Sequence, residues 1–328
     1  MRKVTSQKSE CESIWLLMEF KLYESVPMLK NFFYAIKKRR KFLKNRQYKI
    51  GQYEITLPLG HKLDSYQSKF KNYDKKLPEI ARLVEIKYGA MSIVDIGANV
   101  GDSAAALRDS CKAALICIEG NPVYLSVLEA NLSNLPGVVR LVKKFIGEEL
   151  LEAVGKIISV DGTARIERSD VHDSNDFQQT TLNFTTYKEI ADTNADLPEI
   201  RLVKTDTDGF DFKIILGSIA EISKTLPILF IEFDPSFSPL NQKDEALIAV
   251  NALIFAGYSH YVIYDNFGNY LISFSESVNE RFSDLFCFLY QSRHFGGGVF
   301  YLDVCCFSDR DTDVFLQVVE RERAGEFV

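Results

Sequence analysis

The 328-residue chain lacks any run of about 18 uncharged apolar residues, so no segment reads as a membrane-spanning helix. The apolar stretch Ile14–Met18 is short, is closed by Glu19 and is not followed by a small-residue cleavage site, which argues against a signal peptide. Six cysteines (Cys11, Cys111, Cys117, Cys287, Cys305 and Cys306) show no C-x-x-C spacing. The common zinc and dithiol patterns are thereby excluded, and these residues are expected as buried small hydrophobes in a cytoplasmic protein. Histidine is scarce: of four, His172, His260 and His294 have no partners at ligand spacing, and no metal site is predicted. Internal repeats and low-complexity tracts are absent as well.

What is present is ample core material, with 46% hydrophobic and 12% aromatic residues, and a charge that is unevenly spread. Residues 1–50 hold 13 lysines and arginines against four glutamates, a net of +9, and the remaining chain carries −15 of a total of −6. The run Lys37–Lys41 lies on a helical pattern in which Leu29, Phe32, Phe33, Ile36 and Leu43 recur three or four residues apart. Residues 5–47 read as two helices, the second a basic amphipathic one over 28–47. Attraction to the acidic remainder favours self-docking of this segment, with contact to an anionic membrane surface or a second subunit as the other options. One basic run without aromatic-and-basic strands or a zinc pattern does not support nucleic-acid binding.

The most informative stretch is Val94-Asp95-Ile96-Gly97-Ala98-Asn99-Val100-Gly101. An apolar run from Met91 breaks into a glycine-containing turn, and the small residues Ser103–Leu107 then open a helix. Strand, tight turn and helix form the cofactor-binding start of an open α/β sheet. A dinucleotide site wants G-x-G-x-x-G, so that backbone amides close on a pyrophosphate. Here only G-x-x-x-G is found, preceded by Asp95, whose charge repels a pyrophosphate and suits the ammonium and sulfonium of S-adenosylmethionine (SAM). A second buried strand, Ala114–Ile118, ends at Glu119 in Glu119-Gly120-Asn121-Pro122, where an acid can accept hydrogen bonds from both ribose hydroxyls. Asp95, Gly97, Ala98, Asn99, Gly101, Asp102, Glu119, Gly120 and Asn121 are therefore the candidate cofactor residues.

Further along, strands are expected at Val138–Val142, Ile200–Thr205, Ile228–Ile231, 258–264 and 299–306, with helices at 78–88, 123–134 and 211–220. A strand or hairpin is expected over Tyr48–Leu59, and β-rich structure over 155–187 around a polar loop at 168–179. Alternating strands and helices imply a doubly wound, mostly parallel α/β sheet. Three strand ends carry acids, namely Asp95 with Glu119, Asp206 with Asp208, and Glu232 with Asp234, and ligands bind beyond the carboxyl ends of such strands. These acids should converge on one crevice. Lys204, two residues before Asp206, shares its side of the strand and would orient a carboxylate. Asp206, Asp208 and Lys204 are the catalytic candidates, and His61 joins them as part of a turn, Gly60–Leu63, placed where an N-terminal lid would cover a cofactor. Asp211 reads as a first-turn acid complementing a helix dipole.

The combination resembles the FkbM family of SAM-dependent methyltransferases. V-D-I-G-A-N-V-G at 94–101, I-E-G-N-P at 118–122, T-L at 181–182, L-V-K-T-D-T-D-G-F-D at 202–211 and I-L-F-I-E-F-D at 228–234 carry the resemblance, which spans roughly residues 50–310. Where the family often has K-I-D-x-E-G, Asp208 replaces the glutamate, and Asn183 stands where T-L-D is common. The resemblance implies a seven-stranded Rossmann-like sheet with an antiparallel last strand. It also implies methylation of a hydroxyl on a sugar, a glycan or a related natural product, with a sugar nucleotide or lipid-linked saccharide as expected acceptors. The organisation that follows is a basic helical extension over 1–50 and a methyltransferase domain over 51–328, open to homo-oligomerisation and peripheral membrane contact. An NAD-dependent oxidoreductase and a non-catalytic binding module are the alternatives.

Overall fold

The computed structural model describes residues 45–147, 151–160, 163–168, 179–235 and 242–326. The expected helices within 1–44 lie outside the described residues, and the one read over 28–47 cannot reach its expected end, because a strand already begins at Arg46. That strand, β1 (Arg46–Ile50), forms a hairpin with β2 (Tyr53–Leu57). Two compact units are present. The smaller includes Asn45, Arg46 and Pro58–His61; the larger takes in Gln47–Leu57 and Lys62 onward.

Within the larger unit, α1 (Leu63–Lys69) and α2 (Lys76–Tyr88) precede β3 (Ser92–Ile96). Next come α3 (Asp102–Ser110), β4 (Ala114–Ile118), α4 (Pro122–Ser133) and β5 (Val139–Val142). Asn121 caps α4 by accepting from the Val123 amide at 3.0 Å, and Pro122 occupies the first turn, where its missing N–H costs nothing. β6 (Phe145–Ile146), β7 (Leu151–Val160), β8 (Thr163–Arg168) and β9 (Gln179–Thr185) build a separate four-stranded sheet in the order β6-β9-β7-β8. This is the β-rich region expected over 155–187.

The chain then returns through α5 (Tyr187–Thr193), β10 (Ile200–Thr205), α6 (Asp211–Thr225), β11 (Ile228–Phe233) and α7 (Gln242–Ala256). β12 (Tyr258–Asp265), β13 (Tyr270–Phe274), α8 (Val278–Phe295), β14 (Leu302–Ser308) and α9 (Thr312–Ala324) complete it. Among the described residues, the main sheet has eight strands in the order β13-β12-β14-β11-β10-β3-β4-β5. β5, β4, β3, β10 and β11 run parallel, and β14 inserts antiparallel between β11 and β12. The antiparallel last strand is as expected. The expected count of seven strands is not, because β12 turns at Gly268 into β13, which adds an eighth strand at the edge.

The parallel strands are buried on both faces, so they read as continuous apolar runs. Alternate residues go to opposite layers. Ile93, Leu115, Leu202 and Phe230 pack with α2, α3 and α9, and Val94, Ile116, Val203 and Ile231 pack with α6, α7 and α8. Among the described cysteines, Cys111, Cys117, Cys305 and Cys306 are buried as expected, whereas Cys287 is exposed on α8. No helix of the described residues is long and apolar enough to cross a membrane.

Candidate cofactor and acceptor site

The β3–α3 loop is closed by its own backbone. The amides of Gly97 and Ala98 both donate to the Ile118 carbonyl at 3.0 Å, and the Gly101 amide donates to Ala98 at 2.7 Å. The Asn99 amide donates to Glu119 Oε2 at 2.9 Å. Gly97 sits at φ 78°, and a Cβ there would lie 2.0 Å from the Asp206 carbonyl oxygen, so only glycine allows this loop to meet the end of β10. Asn99 at φ 48° and Gly101 at φ 84° complete the left-handed turn into α3.

Glu119 leaves the end of β4 with 9% exposure, and its second oxygen, Oε1, accepts from the Asn121 amide at 2.6 Å. Burial pushes its pKa up, while the amides of Asn121 and Asn99 pull the other way. Each carboxylate oxygen thus keeps a lone pair for a further donor, in an orientation fixed by the backbone.

These groups line a cleft of about 660 Å³, counting its open mouth. Gly97, Asn99, Glu119, Gly120 and Asn121 form one wall, Asp206, Thr207 and Asp208 another, and Ile118, Phe145, Ile146, Phe184, Phe210 and Ile214 an apolar pocket. Gly120 is required by Phe145, since a Cβ there would lie 2.3 Å from that ring. Lys144 and Phe145, just past β5, line the cleft and are not among the sequence candidates. The only sequence signal for them is an aromatic residue placed directly after that strand.

Other candidates sit beneath the cleft rather than on its wall. Asp95 is fully buried; Ser103 Oγ donates to its Oδ2 at 2.5 Å, and its Oδ1 lies 3.1 Å from Lys204 Nζ. Lys204 also donates to the Gly97 carbonyl at 3.2 Å and lies 3.5 Å from Asp206 Oδ2. Burial works against its charge, but Asp95, Asp206 and Asp102 outweigh that and hold its pKa well above the usual value. Lys204 is therefore a fixed cation. Ala98 is buried within the loop, and Gly101 and Asp102 begin α3 behind it.

On the β10–α6 turn, Asp206 is half exposed and Asp208 takes a left-handed φ of 51°. Asp211 is more than a dipole partner. Its Oδ1 accepts from Thr205 Oγ1 at 2.6 Å, its Oδ2 from the Thr207 amide at 3.4 Å, and burial pushes its pKa up to about 6. Asp234 does not join the crevice acids, since its Oδ1 pairs with Arg293 at 2.5 Å. His61 belongs to the smaller unit, where its amide donates to the Pro58 carbonyl at 3.2 Å and its carbonyl accepts from Arg46. His260 and His294 are satisfied by protein partners, and His172 lies outside the described residues.

The sequence profile of the methyltransferase FkbM domain matches residues 95–259, half of the chain. The chain belongs to the FkbM methyltransferase family. The match starts at Asp95 and ends in β12, a narrower span than the motifs suggested. Among solved structures, the methyltransferase FkbM from Methylobacillus flagellatus KT is similar at 15% identity over 61% of this chain, with a TM-score of 0.35. This chain spans 55% of that protein's length, little more than half. Aeropyrum pernix fibrillarin with natively bound S-adenosyl-L-methionine is similar at 8% identity, covering 80% of this chain and 82% of that one, with a TM-score of 0.38. A putative O-methyltransferase from Klebsiella pneumoniae gives 9% identity, 72% and 79% coverage, and a TM-score of 0.38. No functionally curated protein matches the sequence.

Proposed function

We propose that this FkbM-family chain is a SAM-dependent methyltransferase acting on a hydroxyl of a sugar, a glycan or a related natural product. One observation carries the cofactor reading. The amides of Gly97, Ala98, Asn99 and Gly101 are engaged within the protein, so these four are not donors to a pyrophosphate, while the buried Glu119 carboxylate beside an apolar pocket suits a lone nucleoside. Glu119 would hold the ribose, and Ile118, Phe145, Ile146, Phe184 and Ile214 the adenine. Residues 51–328 then act as the methyltransferase domain behind the basic segment 1–50.

Bound SAM supplies a methyl group already activated on a sulfonium. The chain's own task is to align donor and acceptor, exclude water and take a proton. Asp206 and Asp208 stand at the cleft wall to do this. A carboxylate and an alcohol differ by roughly ten pKa units, so the proton moves late, as the hydroxyl oxygen loses electron density. Lys204 does not line the cleft and keeps its proton; it is a positioning residue that ties Asp206, Asp95 and the Gly97 carbonyl together.

Titration calorimetry on the full chain tests the reading. SAM should bind and NAD should not, and Glu119→Ala, which removes charge-assisted bonds worth about 1.5–3 kcal/mol each, should weaken SAM at least tenfold. Asp206→Asn, nearly isosteric, should cut transfer of labelled methyl groups well beyond threefold while leaving SAM affinity in place. NAD binding in preference to SAM would make the oxidoreductase alternative the better one. SAM binding without transfer to any acceptor would favour a non-catalytic module.

A further inference from the structure

A second group of acids lies one strand beyond the cofactor cleft. Glu232, near the end of β11, is in register with Asp303 on antiparallel β14, so both side chains leave the same face of the sheet as close neighbours. Asp206 follows Thr205, which is in register with Ile231, and so completes a row across β10, β11 and β14. Like charges set opposite each other weaken a sheet, so folding alone disfavours this row. Glu232 is only 6% exposed, and its Oε2 has no hydrogen-bond partner. Burial first, and Asp206 next, push the pKa of both Glu232 and Asp303 well above the carboxylate range. Tyr301, hydrogen-bonded to Tyr73, brings a phenol to the same group. The cation beside the row, Lys204, is shared with Asp95 and the Gly97 carbonyl. Among the described residues, no three His, Cys, Asp or Glu side chains are placed to hold a metal ion.

We propose that Glu232 and Asp303, with Asp206 at the rim, form the acceptor-binding half of the crevice and select an uncharged, hydroxyl-bearing acceptor. The proposal rests on the methyltransferase reading above. A buried carboxyl that holds its proton presents one donor and one acceptor, which complements a hydroxyl, itself both donor and acceptor. A phosphate would meet repulsion from the ionised acids of the β10–α6 turn, while Lys204 is already engaged by Asp95 and Asp206. Among the described residues, the charged and titratable groups around the pair are Asp206 and Asp208 on the β10–α6 turn, Asp211 at the start of α6, Asp234 just past β11 and paired with Arg293, Asp74 ahead of α2, Asp265 on β12, Tyr301, and the cation Lys204. For a nucleotide-linked or lipid-linked sugar, the sugar ring enters and the phosphate stays outside.

The test uses the full chain with labelled SAM and three probe sets: methyl glycosides of neutral hexoses, the corresponding hexose 1-phosphates, and hexosamines. Calorimetry follows SAM, and saturation-transfer NMR follows binding of the neutral glycosides. Neutral glycosides should take the label at least tenfold better than the phosphates and the amines. Glu232→Gln should lower kcat/KM for them at least thirtyfold, with SAM affinity within twofold, because Glu232 does not line the cofactor cleft; Asp303→Asn should act in the same direction. Equal or better labelling of phosphates or amines overturns the proposal, as does unchanged transfer in both variants. It also falls if SAM binds while no neutral glycoside is labelled or gives saturation transfer. Should both variants fail to melt cooperatively, the ranking of acceptors by the parent protein decides. Absence of SAM binding in the parent sinks the methyltransferase reading itself, which separates the two failures.

Discussion

Lys204 shows how one side chain can matter to both the fold and the chemistry without touching a ligand. Its ammonium lies between Asp95, which has no solvent exposure, and the half-exposed Asp206, and it also grips the loop carbonyl of Gly97. Removing one partner of a buried ion pair leaves the other charge uncompensated, a loss of about 3–5 kcal/mol. Lys204→Met should therefore lower stability by an amount in that range, and adding Asp95→Asn should recover more than half of it. Urea unfolding of the single and double variants measures this. A Lys204→Met protein as stable as its parent would show that the pair is dispensable. The motif containing Asp95 was evident in the sequence, but its partner was not. The sequence placed Lys204 next to Asp206, and only the parallel register of β10 with β3 sets it opposite Asp95.

At the scale of elements, the β10–α6 junction carries a pH dependence of its own. Asp211 opens α6, is 3% exposed, and has its pKa raised from the usual 3.8 to about 6 by burial, with Asp206 adding to the rise. A carboxyl whose folded pKa exceeds its unfolded value binds protons more readily in the folded state. Its favourable contribution is present below about pH 4 and is lost as pH rises through about 6, a change on the order of 2–3 kcal/mol. Asp211→Asn should flatten this part of the stability curve, so that the difference in unfolding free energy between pH 4.5 and pH 7 shrinks by more than about 1 kcal/mol. An identical pH slope in the variant would assign the dependence to Glu232 and Asp303 instead. Asp211 reads in sequence as a helix-dipole acid, which is true of its position in α6. Its bonds to Thr205 and the Thr207 amide depend on a tight turn through Asp208 and Gly209, both at positive φ, and only the glycine of the two marks that turn in the sequence.

For the whole molecule, every described residue lining the cofactor cleft lies between Ile96 and Ile214. A chain beginning at Asn45 should therefore bind SAM within threefold of the full protein by calorimetry, and cosedimentation of both forms with anionic liposomes reports whether the segment serves a membrane surface. A loss of SAM affinity beyond tenfold on truncation would mean that the cleft is incomplete without residues 1–44. The acidic remainder, at −15, agrees with a crevice in which carboxylates outnumber cations.

Local sequence is enough to specify the strand–turn–helix at 92–110, the acid at the tip of β4, the mostly parallel sheet and the antiparallel last strand. Each of these is local: a run of apolar residues, a glycine at positive φ, a proline in a first turn, or a period of two or of 3.6. Tertiary structure alone decided which acids share a site. Asp95 went beneath the loop to Lys204, Asp234 to Arg293, and Glu232 to Asp303, because strand order and register choose neighbours far apart in the chain. It also decided that β13 widens the sheet to eight strands and that Phe145 closes over Gly120. Those contacts join residues through the spacing between neighbouring strands, which no sequence period encodes.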